Sequence, residues 1–321
     1  MSQITNVTTE TFPQYAGELF TADIEKTPLL SMIGGLNGGV KTTNKEFPTG
    51  QLYDYPAPSQ PAISENASIT APAPTAVAPT QEKNVVQKFQ ESVLVTYDLL
   101  ANSGRLQGIN TAGADTPYKP SVLDFQTAYK LKKMARDIEY TLINGVYALG
   151  ATADDADKTR GILSLITDNA IAAGGALTIG MLKQLYRTMA QGGAQFGNMV
   201  ALCSADVKQA LSDIYSAQGG FGLPQSREVG GVNITEVETD FFKMGVVWDS
   251  YMPTGTLAIV DVAALQPVFM DVPDGHGGSK GNFILEELAK NGAAYRYQLF
   301  GYLGLDHGPQ FLHGKITGIT A

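Results

Sequence analysis

Between Val85 and Tyr97 the chain alternates. Val85, Phe89, Val93, Val95 and Tyr97 hold one parity, while Asn84, Lys88, Gln90, Ser92, Thr96 and Asp98 hold the other. A period of two predicts a strand with one buried face. Further on, Leu131, Met134, Ala135, Ile138 and Leu142 fall at i, i+3, i+4, i+7 and i+11, which predicts one apolar stripe on a helix over 121–145. Pro120 keeps the preceding chain out of that helix. Ser121 with Asp124 resembles a capping box in which Asp replaces the usual Glu or Gln, and Gly145 supplies a stop. About 24 residues at 1.5 Å rise make a rod of roughly 36 Å, long for a globular helix.

Elsewhere the pattern is broken by punctuation. An apolar cluster at Pro28, Leu29, Leu30, Met32 and Ile33 runs into Gly34, Gly35, Gly38 and Gly39, predicting a short docked segment and a flexible corner. From Val40 to about Thr80 the chain is polar and then proline-laden, with Pro48, Pro56, Pro58, Pro61, Pro72, Pro74 and Pro79, which predicts neither a helix nor a central strand there. Lys41–Tyr55 is the expected partner arm of the 85–97 strand, giving a two-stranded excursion with a proline-rich tip that must lie against something else. After an acidic loop at Asp154, Asp155 and Asp157 comes an α/β region. Thr178 caps a helix through Gln191 with Leu182, Leu185, Tyr186 and Met189 inward, Met199–Cys203 is a strand, and Ser204 caps a helix through Tyr215. Ser216–Gly231 reads as a Gly-rich loop. Strands follow at 232–237, 246–251, 256–261 and 266–270, with two or three more in 283–319. No repeat of solenoid length is present.

Composition sets the class. The 321 residues are 44% hydrophobic, ample for a core, and this length fits about two domains or one domain with large excursions. No apolar run approaches the ~20 residues of a membrane span, and polar Met1–Glu10 gives no argument for secretion. One cysteine, Cys203, excludes an intrachain disulfide framework and is read as a core residue. Thirty-one acidic against 22 basic residues give a net charge of −9. That is the wrong sign for gripping nucleic acid, so an enclosed genome would meet an indifferent wall.

Motifs for chemistry are missing. No stretch supplies a phosphate loop, and the glycines at 34–39, 192–197 and 219–222 read as turns. His307 and His313 stand six apart with Pro309 between, which suits neither a helical nor a strand metal pair, so these and His276 read as strand-end or turn residues. The acidic clusters at 154–157 and 271–275 lack calcium-loop spacing. No catalytic, cofactor-binding or metal-binding residue is assigned. Lys130, Lys132, Lys133 and Arg136 form a basic group on the long helix, open to three readings: a solvated face, a partner for acidic residues of a neighbouring subunit such as Glu46, Asp54, Glu65 or Glu82, or a DNA-facing patch.

Several stretches in order resemble one family. Thr27-Pro28-Leu29-Leu30-Ser31-Met32-Ile33-Gly34 is similar to the docked N-terminal motif of tailed-bacteriophage major capsid proteins. Asn84–Phe89 with Val93–Thr96 resembles their returning extended-loop strand, and Met134–Tyr140 through Asn144-Gly145 resembles the end of their spine helix. Arg160-Gly161-Ile162 resembles the start of their axial domain. Leu288–Gly292, Tyr297–Gly301 and His313-Gly314 resemble their closing strands. The resemblance implies an α+β fold of the Hong Kong 97-like type. Its parts would be an N-terminal arm (1–34), an extended loop (35–100), a peripheral domain with a spine helix at 121–145 (101–160), an axial domain (161–285) and return strands of the peripheral domain (286–321).

The implied role is a subunit that self-assembles through pentamers and hexamers into an icosahedral head shell around double-stranded DNA. It would be made in the host bacterial cytoplasm and end in the virion, without enzyme activity, cofactor or membrane contact, and with scaffold, portal and decoration proteins as candidate partners. Phe47, Tyr53, Tyr55 and Phe89 are expected to pack on a neighbour's spine helix near Lys130, Lys132, Lys133 and Arg136. Gly219, Gly220, Phe221 and Gly222 are expected near a symmetry axis, where glycine lets several backbones converge. Alternatives are a cargo-enclosing compartment of the same fold, a hydrolase around Ser204, Asp206 and His276 without a Gly-x-Ser-x-Gly elbow, and an adhesin.

Overall fold

The computed structural model describes residues 26–36, 38–53, 57–73, 76–98, 122–217, 225–229, 232–276, 278–290 and 292–320. In chain order come α1 (Pro28–Met32), β1 (Val40–Thr42), β2 (Glu46–Tyr53), α2 (Glu65–Ser68), β3 (Pro79–Val85), β4 (Gln87–Thr96) and the long helix α3 (Val122–Asn144). Next are α4 (Ile162–Leu165), β5 (Ala170–Gly175), α5 (Ile179–Gln191), β6 (Met199–Cys203), α6 (Ala205–Ala217), β7 (Gln225–Val229), β8 (Val232–Glu238) and β9 (Lys243–Trp248). Last are β10 (Leu257–Asp261), β11 (Gln266–Met270), β12 (Val272–Pro273), β13 (Ser279–Gly281), β14 (Phe283–Glu287), β15 (Ala294–Asp306) and β16 (Gly314–Ile319).

Two larger sheets organise the described chain. One runs β1-β11-β15-β14 with β4 on the other flank of β15, and the other runs β5-β16-β10-β6-β9-β8-β7. Strands β6 and β10 are buried throughout because both their faces are covered. Met199, Ala201, Cys203, Leu257 and Ile259 face Leu182, Leu185, Met189, Val207 and Leu211 of α5 and α6. Val200, Leu202, Ala258 and Val260 join a second core with Leu29, Met134, Ile138, Leu142 and the five-stranded sheet's Phe89, Leu299, Leu303 and Phe269. The long helix therefore packs between the two sheets.

Several expectations change. Leu131 is 40% exposed, so the buried stripe of α3 is Met134, Ile138 and Leu142, the part of the helix over the sheet. The alternation of β4 is real, but its partner is β15, Phe89 opposite Gly301 and Val93 opposite Tyr297. The ribbon of the excursion is instead β2 against β3, Phe47 opposite Asn84 and Tyr53 opposite Pro79. β16 does not stay with the other return strands: it enters the seven-stranded sheet, parallel to β5 and antiparallel to β10, because Ile316 and Ile319 bury under the helices there. β11, counted with the axial part, pairs with β15 of the other sheet. Part of the Gly-rich loop is strand β7 paired with β8, and β5 was unforeseen. Ser204 precedes α6 without capping it, since its hydroxyl has no partner among the described residues while its carbonyl accepts from Lys208 N. The Ser121–Asp124 box lies outside the described side chains.

Gly145 does end α3, through close approach. A Cβ there would sit 2.5 Å from the carbonyl oxygens of both Thr141 and Thr159, and Gly161 N donates to Gly145 O at 2.9 Å.

Candidate assembly interface

The excursion leaves the body between β2 and β3, and its root is held by polar groups. Asn84 is fully buried. Its Nδ2 donates to Leu305 O at 2.7 Å and to Arg160 O at 3.3 Å, while its Oδ1 accepts from Arg160 N at 2.8 Å. Thr159 Oγ1 accepts from Leu305 N, and Thr159 N donates to Gln87 Oε1. Arg160 Nη1 reaches Glu82 Oε2 at 2.9 Å, and its guanidinium lies over the Tyr147 ring. Tyr147 in turn donates to Glu46, which also pairs with Lys83. Hydrogen bonds from Lys83 and Tyr147 hold the Glu46 carboxyl below its usual value. On the other strand Thr49 Oγ1 donates to Asp306 Oδ1 at 2.5 Å and accepts from His307 N. Gly50, at φ +58, lies so close to Gly308 that a Cβ would meet its carbonyl at 2.9 Å.

Beyond the root the chain is bare. Residues 57–73 and 76–81 are exposed throughout, and Ile63 and Ile69 are 70% and 80% exposed on either side of α2, whose N-cap Ser64 accepts from Ala67 N. The two isoleucines find no cover within the described part of their own chain.

The expected interface residues divide. Phe47 packs with Val86 and Val268, and Phe89 lies in the core under α3, so both are spent inside their own subunit rather than on a neighbour. Lys130 and Lys133 pair with Glu91 on β4 of the same chain, Lys132 stands over the Tyr129 ring, and Arg136 Nε donates to the Tyr251 hydroxyl. Burial acts to raise the Glu91 pKa, but hydrogen bonds from Lys133 and Lys130 outweigh it and leave the carboxyl below its ordinary value. The basic group thus fastens helix to sheet. The Tyr53 side chain, Tyr55, Gly219, Gly220, Phe221 and Gly222 lie outside what the structure describes.

The histidines are more deeply placed than turn residues. His307 and His313 are fully buried. Asp261 N donates to His313 Nδ1 at 3.2 Å, so Nε2 carries the proton and donates to His307 O at 2.8 Å. Burial pushes the His313 pKa down to about 4. Burial likewise raises Cys203 to about 12, an inert thiol in the core. The Asn84, Thr159 and Arg160 group escaped sequence reasoning because a polar residue at a strand end reads as solvated. Its partner Leu305 lies 221 residues away in the chain.

A long helix laid between two sheets, an α/β layer built on a seven-stranded sheet, and a two-stranded excursion define a shell-building subunit of the Hong Kong 97-like capsid fold. The chain spans 99% of itself and 96% of the SrpI encapsulin of Synechococcus elongatus PCC 7942 at TM-score 0.59 and 11% identity. It spans 100% of itself and 99% of a chain of the native GTA particle capsid at 0.60 and 12%. With the cyanophage A-1(L) capsid it shares 15% identity at TM-score 0.59, over 99% of this chain and 100% of the other. No curated protein sequence matches. The SU10 major capsid protein family matches residues 2–320, and the chain belongs to that family. It is a phage capsid subunit, and it associates with its own copies.

Proposed function

We propose that this subunit closes an icosahedral head of pentamers and hexamers around double-stranded DNA by laying its excursion on the next subunit. The observation that carries this reading is the exposed tip. Ordering each residue costs roughly 1–2 kcal/mol of backbone entropy, and residues 57–73 recover none of it by burial in their own chain. Ile63 and Ile69 replace Phe47 and Phe89 as the anchoring side chains, and Tyr53 and Tyr55 are kept as further residues of that contact. The loop at Gly219, Gly220, Phe221 and Gly222 approaches a symmetry axis. The inner wall touches DNA weakly, given the net charge of −9. The subunit works as a structural element, without catalysis or cofactor, and is made in the host bacterial cytoplasm. Scaffold, portal and decoration proteins are its further partners. An arm (1–34), excursion (35–100), peripheral part (101–160 and most of 286–321, with β11 joined to it) and axial part (the rest of 161–285, with β16 returned to it) describe the working divisions.

Negative-stain imaging of the expressed chain should show closed shells or ring-shaped capsomers, and a solution of monomers alone would contradict the reading. Particles purified from an infected host should carry nuclease-protected DNA. Protein-filled particles would favour the cargo compartment.

A further inference from the structure

The five-stranded sheet turns one face to α3: Phe89 and Leu299 lie in the core beneath the helix, and Glu91 binds Lys130 and Lys133. Successive strand residues alternate between faces, so Lys88, Gln90 and Leu94 point the other way. On that second face Phe300 stands opposite Ile284 and Tyr302 opposite Lys88, and the three apolar side chains are half-exposed. The Phe300 and Tyr302 rings meet edge-on with centroids 5.0 Å apart. The spare charge here is positive. Lys88 and Arg296 form no ion pair among the described residues, whereas Glu286 of the same face is held by Lys280. The Asp157 carboxyl that feels the Lys88 charge is already bound to Lys45.

The tip of the excursion has the complementary make-up. Ile63 and Ile69 are bare, and between them stands Glu65, the one charged residue of 57–73, which forms no ion pair among the described residues. We propose that the tip of one subunit lies on this sheet face of a second copy, with Ile63 and Ile69 against Ile284, Phe300 and Tyr302 and the Glu65 carboxylate against the Lys88 ammonium. The inference rests on the reading that the excursion joins subunits, and it names the surface that receives it. Burial of the two isoleucines supplies the attraction, and the charge pair selects where they sit.

Charge decides against the competing surface. Val146 and Leu149, just past the end of α3, are also exposed and apolar. The acidic loop of Asp154, Asp155 and Asp157 adjoins them, with Gly150 N donating to Asp157 Oδ1 at 3.0 Å. An incoming Glu65 would meet like charge there, which opposes docking. The sheet face offers apolar cover of the same kind beside an unpaired cation.

Charge reversal in the full-length chain tests the contact. Glu65→Lys and Lys88→Glu should each cut the yield of closed shells at least about fivefold, because each sets like charges together, while the subunit melts as the parent does. The double variant restores an opposite pair and should recover most of the parent yield. Single variants that assemble like the parent, or a double variant no better than the singles, would overturn the contact and leave the shell reading standing on the parent's own shells. A parent chain that forms neither shells nor capsomers would remove both. If a reversed subunit misfolds, cross-linking decides. Cys203 is buried and inert, so in assembled particles of the Ile69→Cys, Tyr302→Cys variant a short bis-maleimide should join neighbouring chains covalently. Particles that yield only single chains on a denaturing gel refute the proposal.

Discussion

The side-chain amide of Asn84 donates to the carbonyl oxygen of Leu305 at 2.7 Å, fixing the base of the excursion to the strand that runs beneath it. The same side chain serves both backbone groups of Arg160. Asn84→Leu removes the donor and the acceptor together and leaves buried partners unsatisfied, so it should cost about 2–4 kcal/mol. Urea unfolding measures it, and a loss under about 0.5 kcal/mol would show that the clamp carries no weight.

The long helix offers an internal comparison. Ile138 is fully buried and Leu131 is 40% exposed. Ile138→Ala should cost about 2–5 kcal/mol through lost burial and a cavity. Leu131→Ala should stay within about 0.5 kcal/mol in the isolated subunit. Equal costs in the two variants would misplace the helix.

His313 makes stability fall in acid. Its native pKa is near 4 and its usual value is 6.5, so the unfolded chain binds the extra proton between those limits. Stability from this residue is complete above about pH 6.5 and is lost as pH falls toward 4, by up to about 3 kcal/mol. A proton NMR titration of the imidazole should find it neutral at pH 5.5. An imidazolium at that pH would contradict the Asp261 N–H bond, which needs an unprotonated Nδ1.

Gly39 has φ +111, and a Cβ there would come within 2.1 Å of Pro267 O. The corner before β1 therefore needs glycine for both conformation and space. Gly39→Ala should destabilise by more than about 1 kcal/mol, whereas Gly175→Ala, with open space around its Cβ, should change the melting temperature little.

Periodicity made the strand at Val85–Val95 and the helix at Met134–Leu142 legible, because each has one buried face and the pattern records it. It located Met199–Cys203 by apolar run alone, since a strand covered on both sides does not alternate. Pairing was less accessible. Phe47 and Phe89 read as exposed anchors because an aromatic residue in an excursion carries no mark of what covers it. Their burial depends on Val268 and on α3, far off in the chain. Lys130 and Lys133 raised the same difficulty: their partner Glu91 is set by helix–sheet docking, which charge spacing does not encode. Ile63 and Ile69, the two apolar side chains that flank α2 on the tip, sat unnoticed among the prolines.

That tip decides whether the excursion serves contact between copies. Deleting residues 54–78 and joining Tyr53 to Pro79 through a short Gly-Asn-Gly turn keeps the β2–β3 ribbon and its Asn84 clamp while removing Ile63 and Ile69. Light scattering with electron microscopy, alongside a thermal melt, reads the outcome. The deleted chain should unfold cooperatively within a few degrees of the parent and form no closed shells. Intact shells from the deleted chain would contradict the role assigned to the excursion.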